Sequence, residues 1–294
     1  MTYLTKEDWT NNLVPKFSDD KSFTEHLKQN IRTHNNLIKL ISKIISKNTE
    51  KKFFQKILIS SMIYYQKYII LNNIIEKDLS PLNKLILYCT CIFIASKEAN
   101  QLFNIKILGE KFQPFFKRLK NFDVDQIQNL IIEKEFDILL SIEFDISIDW
   151  PKGILKILKL YLQNIGKGNE IINFVINNIN KNINDSILLP LCLYYTPNEI
   201  VFSCILLAQQ MHKFDFINLN DLIKLSKSNI DKNTVKECSL YISKIIKYKD
   251  IFEHNSQVLS NKSDINDKIN NNCLKKDQDN LNFRNIAIIK TNTN

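Results

Sequence analysis

Lys97 and Glu135 are the two charged residues whose positions could do chemistry at a surface. Lys97 ends an apolar run, one turn past Phe93 and Ile94. Glu135 interrupts an apolar row, with Ile131 four residues before it and Leu139 four after, so the three share a helix face. A carboxylate in an apolar stripe is costly when it is buried without a partner. Two readings follow. Glu135 sits at the edge of the stripe or pairs internally with Lys97, and the pair steadies the fold. Alternatively, an apolar patch carrying one ammonium and one carboxylate captures main-chain groups of a second protein. Catalytic chemistry has no comparable candidate. The four histidines (His26, His34, His212 and His254) are scattered, and none neighbours a Ser, Cys or Asp in a motif. Cys89, Cys91, Cys192, Cys204, Cys238 and Cys273 form no C-x-x-C, and no His stands at ligand spacing from any pair. Cys89 and Cys91, two apart on a helix, point in different directions. Most of these thiols lie in apolar helices and read as small buried hydrophobes. Only four Gly occur, and the close pair Gly166 and Gly168 has no strand pattern before it, so no phosphate-cradling loop is available. No metal or cofactor is expected. The chain reads as a binding module rather than an enzyme.

The elements that must carry these residues are helices. Four Gly and six Pro in 294 residues cannot supply the turns of an all-β protein, so the expected class is all-α. One helical phrase occurs twice. Ser80-Pro81 leads into Leu85 to Ala95, containing Cys91-Ile92-Phe93-Ile94-Ala95; Thr196-Pro197 leads into Ile200 to Ala208, containing Cys204-Ile205-Leu206-Leu207-Ala208. Ser or Thr before Pro is a helix-start signal, because Pro needs no donor in the first turn. Both apolar runs are hydrophobic on all sides and belong at bundle centres. Self-similarity at a separation of about 115 residues predicts two related domains.

The expected order is an extension over 1–22 with a short helix near Thr5, a first unit over 23–150, a second over 151–253, and a low-complexity tail over 254–294. In the first unit, helices are expected at Phe23 to Ile45 (one helix, or two with a break at His34-Asn35-Asn36), Lys51 to Leu71, Pro81 to Ala99, Asn104 to Phe112 and Asp123 to Phe144. Trp150-Pro151 ends it, because a residue before Pro avoids the helical region. The second unit repeats the order at Pro151 to Ile165, Glu170 to Leu189, Pro197 to His212, Leu219 to Leu225 and Asn233 to Tyr248. The tail is too poor in apolar residues to offset the cost of ordering, and is expected to be disordered apart from the patch Ile286-Ala287-Ile288-Ile289.

The net charge of +9 suits an acidic partner, but no Lys/Arg cluster interleaves with aromatics as a nucleic-acid groove requires. The polar N-terminus carries no secretory signal, and the longest apolar run is too short to span a bilayer. A soluble protein of a reducing compartment is expected, in which the sequon Asn184-Asp185-Ser186 goes unused.

The segment Leu82 to Lys97, ending Ile92-Phe93-Ile94-Ala95-Ser96-Lys97, resembles the central helix of a cyclin box. Met62-Ile63-Tyr64-Tyr65-Gln66-Lys67-Tyr68 resembles the second cyclin helix. Glu135, nine residues before Phe144-Asp145-Ile146, matches the family's spacing in the fifth helix. Asn184-Asp185-Ser186 leading to Cys192-Leu193-Tyr194-Tyr195-Thr196-Pro197 is similar to the second box of transcription-type cyclins (the C, H, K, L and T group), closest to the H type. The resemblance covers roughly Phe23 to Phe252. It departs at Glu98-Ala99-Asn100, where the family has an acidic pair, and at Trp150-Pro151-Lys152, where cyclins H and C have Tyr-Arg-Pro. The substrate-docking motif of cell-cycle cyclins is not found on the first helix.

The resemblance implies two tandem five-helix cyclin boxes and a nuclear regulatory subunit that binds and activates a cyclin-dependent kinase. Lys97 and Glu135 match the pair that holds the kinase near its mobile helix. Ile94, Leu139, Phe144 and Ile146 match apolar positions that pack on that helix. A third assembly subunit is compatible with this reading; direct contact with nucleic acid or membrane is not expected. Two competing readings are a TFIIB-like factor that binds promoter DNA through the same fold, and a generic helical scaffold. TFIIB-like factors carry a zinc ribbon ahead of the repeats, and no Cys precedes Cys89.

Overall fold

The computed structural model describes residues 20–45, 51–100, 103–146 and 152–252. Among them the regular structure is entirely helical. The helices are α1 (Asp20–Ile44), α2 (Lys51–Leu71), α3 (Pro81–Glu98), α4 (Ile105–Phe116), α5 (Val124–Ser141), α6 (Lys152–Asn164), α7 (Asn169–Ser186), α8 (Pro197–His212), α9 (Leu219–Ser226) and α10 (232–252). The chain divides into a unit up to Ile246 and another from Lys247. The first expected box lies within the first unit, and the second, over 151–253, runs past its end at Ile246. The expected short helix near Thr5, the Trp150-Pro151 boundary, the tail over 254–294 and its Ile286 to Ile289 patch lie outside the described residues.

The repeated phrase starts helices as its residues dictate. The Ser80 hydroxyl accepts from the Asn83 amide at 3.2 Å, with Pro81 in the first turn. Thr196 accepts from the Glu199 amide at 3.3 Å, while the Glu199 carboxylate takes the Thr196 amide at 2.7 Å, closing a capping box. α3 is then buried continuously from Ile86 to Ser96, and α8 from Ile200 to Ile205 and again at Leu207 and Ala208. Asp123 starts α5 with a second capping box, to Gln126.

One open alternative is decided, at α1, and two further elements depart from the local pattern. α1 runs unbroken through His34-Asn35-Asn36, because Thr33 and Leu37 on either side are buried and hold the segment in register. α4 continues past Phe112 to Phe116 with Pro114 inside it; the buried Phe116 ring offsets the lost backbone bond. α2 does not present a single apolar face: every residue from Ile57 to Tyr68 is buried, Ser60, Ser61, Gln66 and Lys67 included. Buried polar groups need partners. Ser61 donates to the Ile57 carbonyl at 2.6 Å, and Gln66 to the Ile187 carbonyl at 2.9 Å. The second bond, with Ile59 and Ile63 against Ile187 and Cys192, fastens α2 to the segment after α7. The Asn184 side chain of the sequon accepts from Gln55 at 2.7 Å, adding to that seam.

α4 and α5 approach closely at Gly109. A Cβ there would meet the Val124 side chain at 3.0 Å and the Val124 carbonyl at 3.2 Å.

The four thiols of Cys89, Cys91, Cys204 and Cys238 are free and buried, and burial raises the pKa of each. The thiolate is the reactive form. All four are expected to resist 5,5′-dithiobis(2-nitrobenzoate) at pH 8 in the native protein and to react once guanidinium is added. Rapid native labelling at Cys89 or Cys204, mapped by peptide mass spectrometry, would contradict this core.

Candidate functional site

The last turn of α3 brings Lys97 to α5. Its Nζ lies 2.7 and 2.9 Å from the two carboxylate oxygens of Glu135. The same ammonium sits 4.1 Å from the centroid of the Phe93 ring, a cation–π contact one turn back on its own helix. The side chains are 39% exposed for Lys97 and 13% for Glu135. They are side by side and open to one face, neither separated by the bundle nor sealed in it. The next residue, Glu98, points to α2. Lys56 reaches its carboxylate at 2.8 Å and its main-chain carbonyl at 3.2 Å, and Ser60 donates to it at 3.3 Å. A cation at a helix C-terminus is favoured by the helix dipole. Lys56 therefore fixes the end of α3, and Lys97 is left free to turn toward α5.

α5 sorts its residues by face. Ile127, Ile131 and Ile138 are buried and hold the helix on the core. Leu139 is partly buried beside Glu135. The sequence reading passed over the outer row. Ile132, Phe136 and Leu140 are 48, 61 and 59% exposed. They follow an i, i+4, i+8 spacing, so they form one stripe next to Glu135. That spacing was the available signal; it was obscured because the inner row on the same helix is equally apolar.

Phe144, just past the helix end, is a further exposed apolar residue, at 56%. The backbone there forms a Schellman stop: the Phe144 amide donates to the Leu139 carbonyl at 2.8 Å and the Glu143 amide to that of Leu140 at 3.1 Å. Both Glu143 (φ 54°) and Phe144 (φ 58°) are left-handed. Neither is Gly, and each such residue costs about 1–2 kcal/mol. Ile146 is partly buried, and its carbonyl accepts from the Tyr64 hydroxyl at 2.7 Å.

Of the expected site residues, Lys97 and Glu135 are in contact, Leu139 lies one turn from Glu135 on α5, and Phe144 and Ile146 lie in the turn just past the helix end. Ile94 requires correction as a direct contact residue. It is 1% exposed, because α3 is buried on all sides at that level, so it supports the face from beneath.

On the far side of α5 a cleft of about 220 Å³ is lined by Tyr68, Leu79, Ile86, Leu130, Lys134 and Asp137, among others. Lys134 donates to the Tyr68 hydroxyl at 2.7 Å and pairs with Asp137 at 3.3 Å. Burial works to lower the Lys134 pKa, but these two partners outweigh it and raise it. The cation is occupied in holding α5 to α2. Among the described residues no cluster of His, Cys, Asp or Glu could hold a metal ion, and no helix is long and apolar enough to cross a membrane.

No protein-family model and no curated protein matches the sequence significantly. Solved structures do match. A chain of the yeast TFIIK (Kin28/Ccl1/Tfb3) complex aligns over 82% of this chain and 96% of its own, with 16% identity and a TM-score of 0.56. A chain of the yeast RNA polymerase II CTD kinase CTDK-1 complex aligns over 82% of this chain and 72% of its own, with 14% identity and a TM-score of 0.58. The chain has the all-α cyclin fold. A cyclin fold accounts for the order of helices and for the central, all-round buried α3. At this identity it speaks to architecture alone, so the site stands on its own geometry.

The exposed stripe contributes little to the chain's own stability, and substitution separates it from the core. Phe136→Ala is expected to change unfolding free energy by no more than about 0.5 kcal/mol, as surface changes do. Ile92→Ala, in the fully buried part of α3, is expected to cost about 2–5 kcal/mol. Urea denaturation monitored by circular dichroism measures both; a large loss from Phe136→Ala would mean that the ring is structural.

Proposed function

We propose that this chain is a non-catalytic regulatory subunit that binds and activates a cyclin-dependent kinase of the transcription-associated type. The observation that carries the reading is the continuous outer face of α5. Ile132, Phe136 and Leu140 run along one side of a half-open Lys97–Glu135 pair, and Phe144 stands exposed just past the helix end. Exposed apolar patches rimmed by polar groups mark interaction sites. Lys97 offers ammonium donors and Glu135 carboxylate acceptors to the main chain of a partner helix, and the apolar stripe supplies the buried area. The kinships in fold support the same reading, since they come from complexes described as TFIIK and as a CTD kinase.

The mechanism is differential binding. A kinase with a mobile helix samples inward and outward positions. A subunit that binds the inward state more tightly shifts the population by its differential affinity. The inward helix completes the kinase's own Lys–Glu ion pair and frees its activation segment. The proposed organisation is two tandem boxes, over 23–150 and 151–253, with the first carrying the docking face. A third assembly subunit and nuclear residence belong to the same proposal; the TFIIK complex itself has three named components.

Two variants test the site. Lys97→Ala combined with Glu135→Ala is expected to keep the helical circular dichroism and to lose about 2–5 kcal/mol of kinase affinity. The exchanged pair, Lys97→Glu with Glu135→Lys, is expected to keep the internal ion pair and still lose the kinase. If the exchanged pair retains wild-type binding, the ion pair only steadies the fold. The kinase itself is identified by mass spectrometry of the complex purified from its native cell. Steeply salt-dependent duplex binding with no kinase recovered would favour a DNA-binding factor on the same fold.

A further inference from the structure

The turn after α5 is gripped from below by α2. The Tyr64 hydroxyl donates to the Ile146 carbonyl at 2.7 Å. One helical turn further along α2, the Lys67 ammonium lies 3.5 Å from the Asp145 carboxylate, with side-chain exposures of 8 and 17%. Tyr64 itself is buried. Burial raises the pKa of its hydroxyl, with the carboxylates of Glu98 and Asp145 adding to the effect, so it remains a protonated donor. The two gripped residues immediately follow the left-handed pair Glu143 and Phe144. Local bonds run through the turn as well, from the Asp145 amide to the Ile142 carbonyl at 3.0 Å and from the Ile146 amide to the Phe144 carbonyl at 3.0 Å.

A Glu and a Phe in succession have no intrinsic preference for this backbone. Strained backbone persists where the surroundings over-determine it. The helix stop alone requires one left-handed residue, at Glu143. The second, at Phe144, is what turns the ring outward, and nothing in a Schellman stop demands it. The contacts to Asp145 and Ile146 lie just past that residue and fix where the chain goes next.

We infer that Tyr64 and Lys67 are positioning residues for docking: by clamping Ile146 and Asp145 to α2, they hold Phe144 in its left-handed, outward-facing conformation before the partner arrives. The inference rests on the reading of Phe144 as a kinase-docking residue. Preorganisation of this kind lowers the cost of ordering at the moment of binding. It also makes α2, which the partner does not touch at these positions, a determinant of affinity.

Tyr64→Phe keeps the ring and deletes the donor; Lys67→Gln keeps the stem and deletes the charge. Binding is measured by calorimetry with the full chain and the recombinant catalytic subunit of the kinase that co-purifies with it. Each variant is expected to weaken binding roughly 3- to 10-fold, the worth of one intramolecular hydrogen bond. Amide hydrogen exchange at Phe144 and Ile146 in the free chain is expected to accelerate by a similar factor, while exchange in the α3 core is unchanged. In a Phe144→Ala background Tyr64→Phe is expected to cost nothing further. A loss that persists undiminished in the Phe144→Ala background would mark a general structural role and overturn the proposal. So would unchanged binding by both α2 variants when Phe144→Ala weakens it. If Phe144→Ala itself binds at wild-type strength, the docking reading fails and the clamp loses its docking role, whatever the exchange rates show.

Discussion

The constraint on which the rest of this molecule depends is the complete burial of α2 from Ile57 to Tyr68. A helix buried on all sides cannot discharge its polar side chains into water. Most are matched instead by other protein groups, and three of those matches commit another part of the chain to a fixed place. Ser60 meets Glu98 and helps to set the end of α3. Gln66 meets the Ile187 carbonyl and joins the first five helices to those that follow. Tyr64 and Lys67 meet Ile146 and Asp145 and set the turn after α5. An apolar α2 would fold, and replacing buried polar pairs by apolar ones is often neutral for stability. It would not specify where those three other segments go. The polar residues of α2 trade stability for register, and the two segments that carry Lys97 and Phe144 are among those they register.

Folding alone gives no account of the outer face of α5. Fully burying a Leu, Ile or Phe side chain is worth about 1.5–3 kcal/mol relative to exposure. Ile132, Phe136, Leu140 and Phe144 forgo most of that within the chain, and Phe144 does so on a backbone that carries its own strain. Lys97 and Glu135 are subject to a different balance. An exposed ion pair contributes about 0–1 kcal/mol, and a fully buried one must overcome desolvation. At 39 and 13% exposure the pair sits between these limits, partly desolvated and with donors and acceptors to spare. A second protein covering the face would complete its desolvation and supply the missing partners.

Much of the fold was legible in the sequence, for identifiable reasons. The Ser80-Pro81 and Thr196-Pro197 starts are capping chemistry, which is local and survives any tertiary context. The all-round apolar runs of α3 and α8 could only be bundle centres. The burial of Ser60, Gln66 and Lys67 on α2 has no local signal, because their partners lie 38, 121 and 78 residues away and no window around α2 contains them. α4 was expected to end at Phe112; it continues through Pro114, whose local cost is real but is outweighed by Phe116 packing in the core. At the site, Lys97 and Glu135 were legible as charges in apolar surroundings. Ile94 was misjudged because a residue on an all-apolar helix gives no sign of which neighbours cover it.

The outer stripe shows where sequence reading of a docking face meets its limit. α5 carries two apolar rows, Ile127, Ile131 and Ile138 on one side and Ile132, Phe136 and Leu140 on another. Periodicity alone detects that both exist and cannot tell which one the chain buries itself. The core takes only the first: Ile127, Ile131 and Ile138 are buried, and the second row stays exposed. Glu135 breaks the tie in retrospect. It falls between the rows, it must keep some access to water or to a partner, and so it marks the side that the chain leaves uncovered. A charged residue flanked by two apolar rows on one helix is therefore more informative than either row alone: it marks where the chain's own core stops.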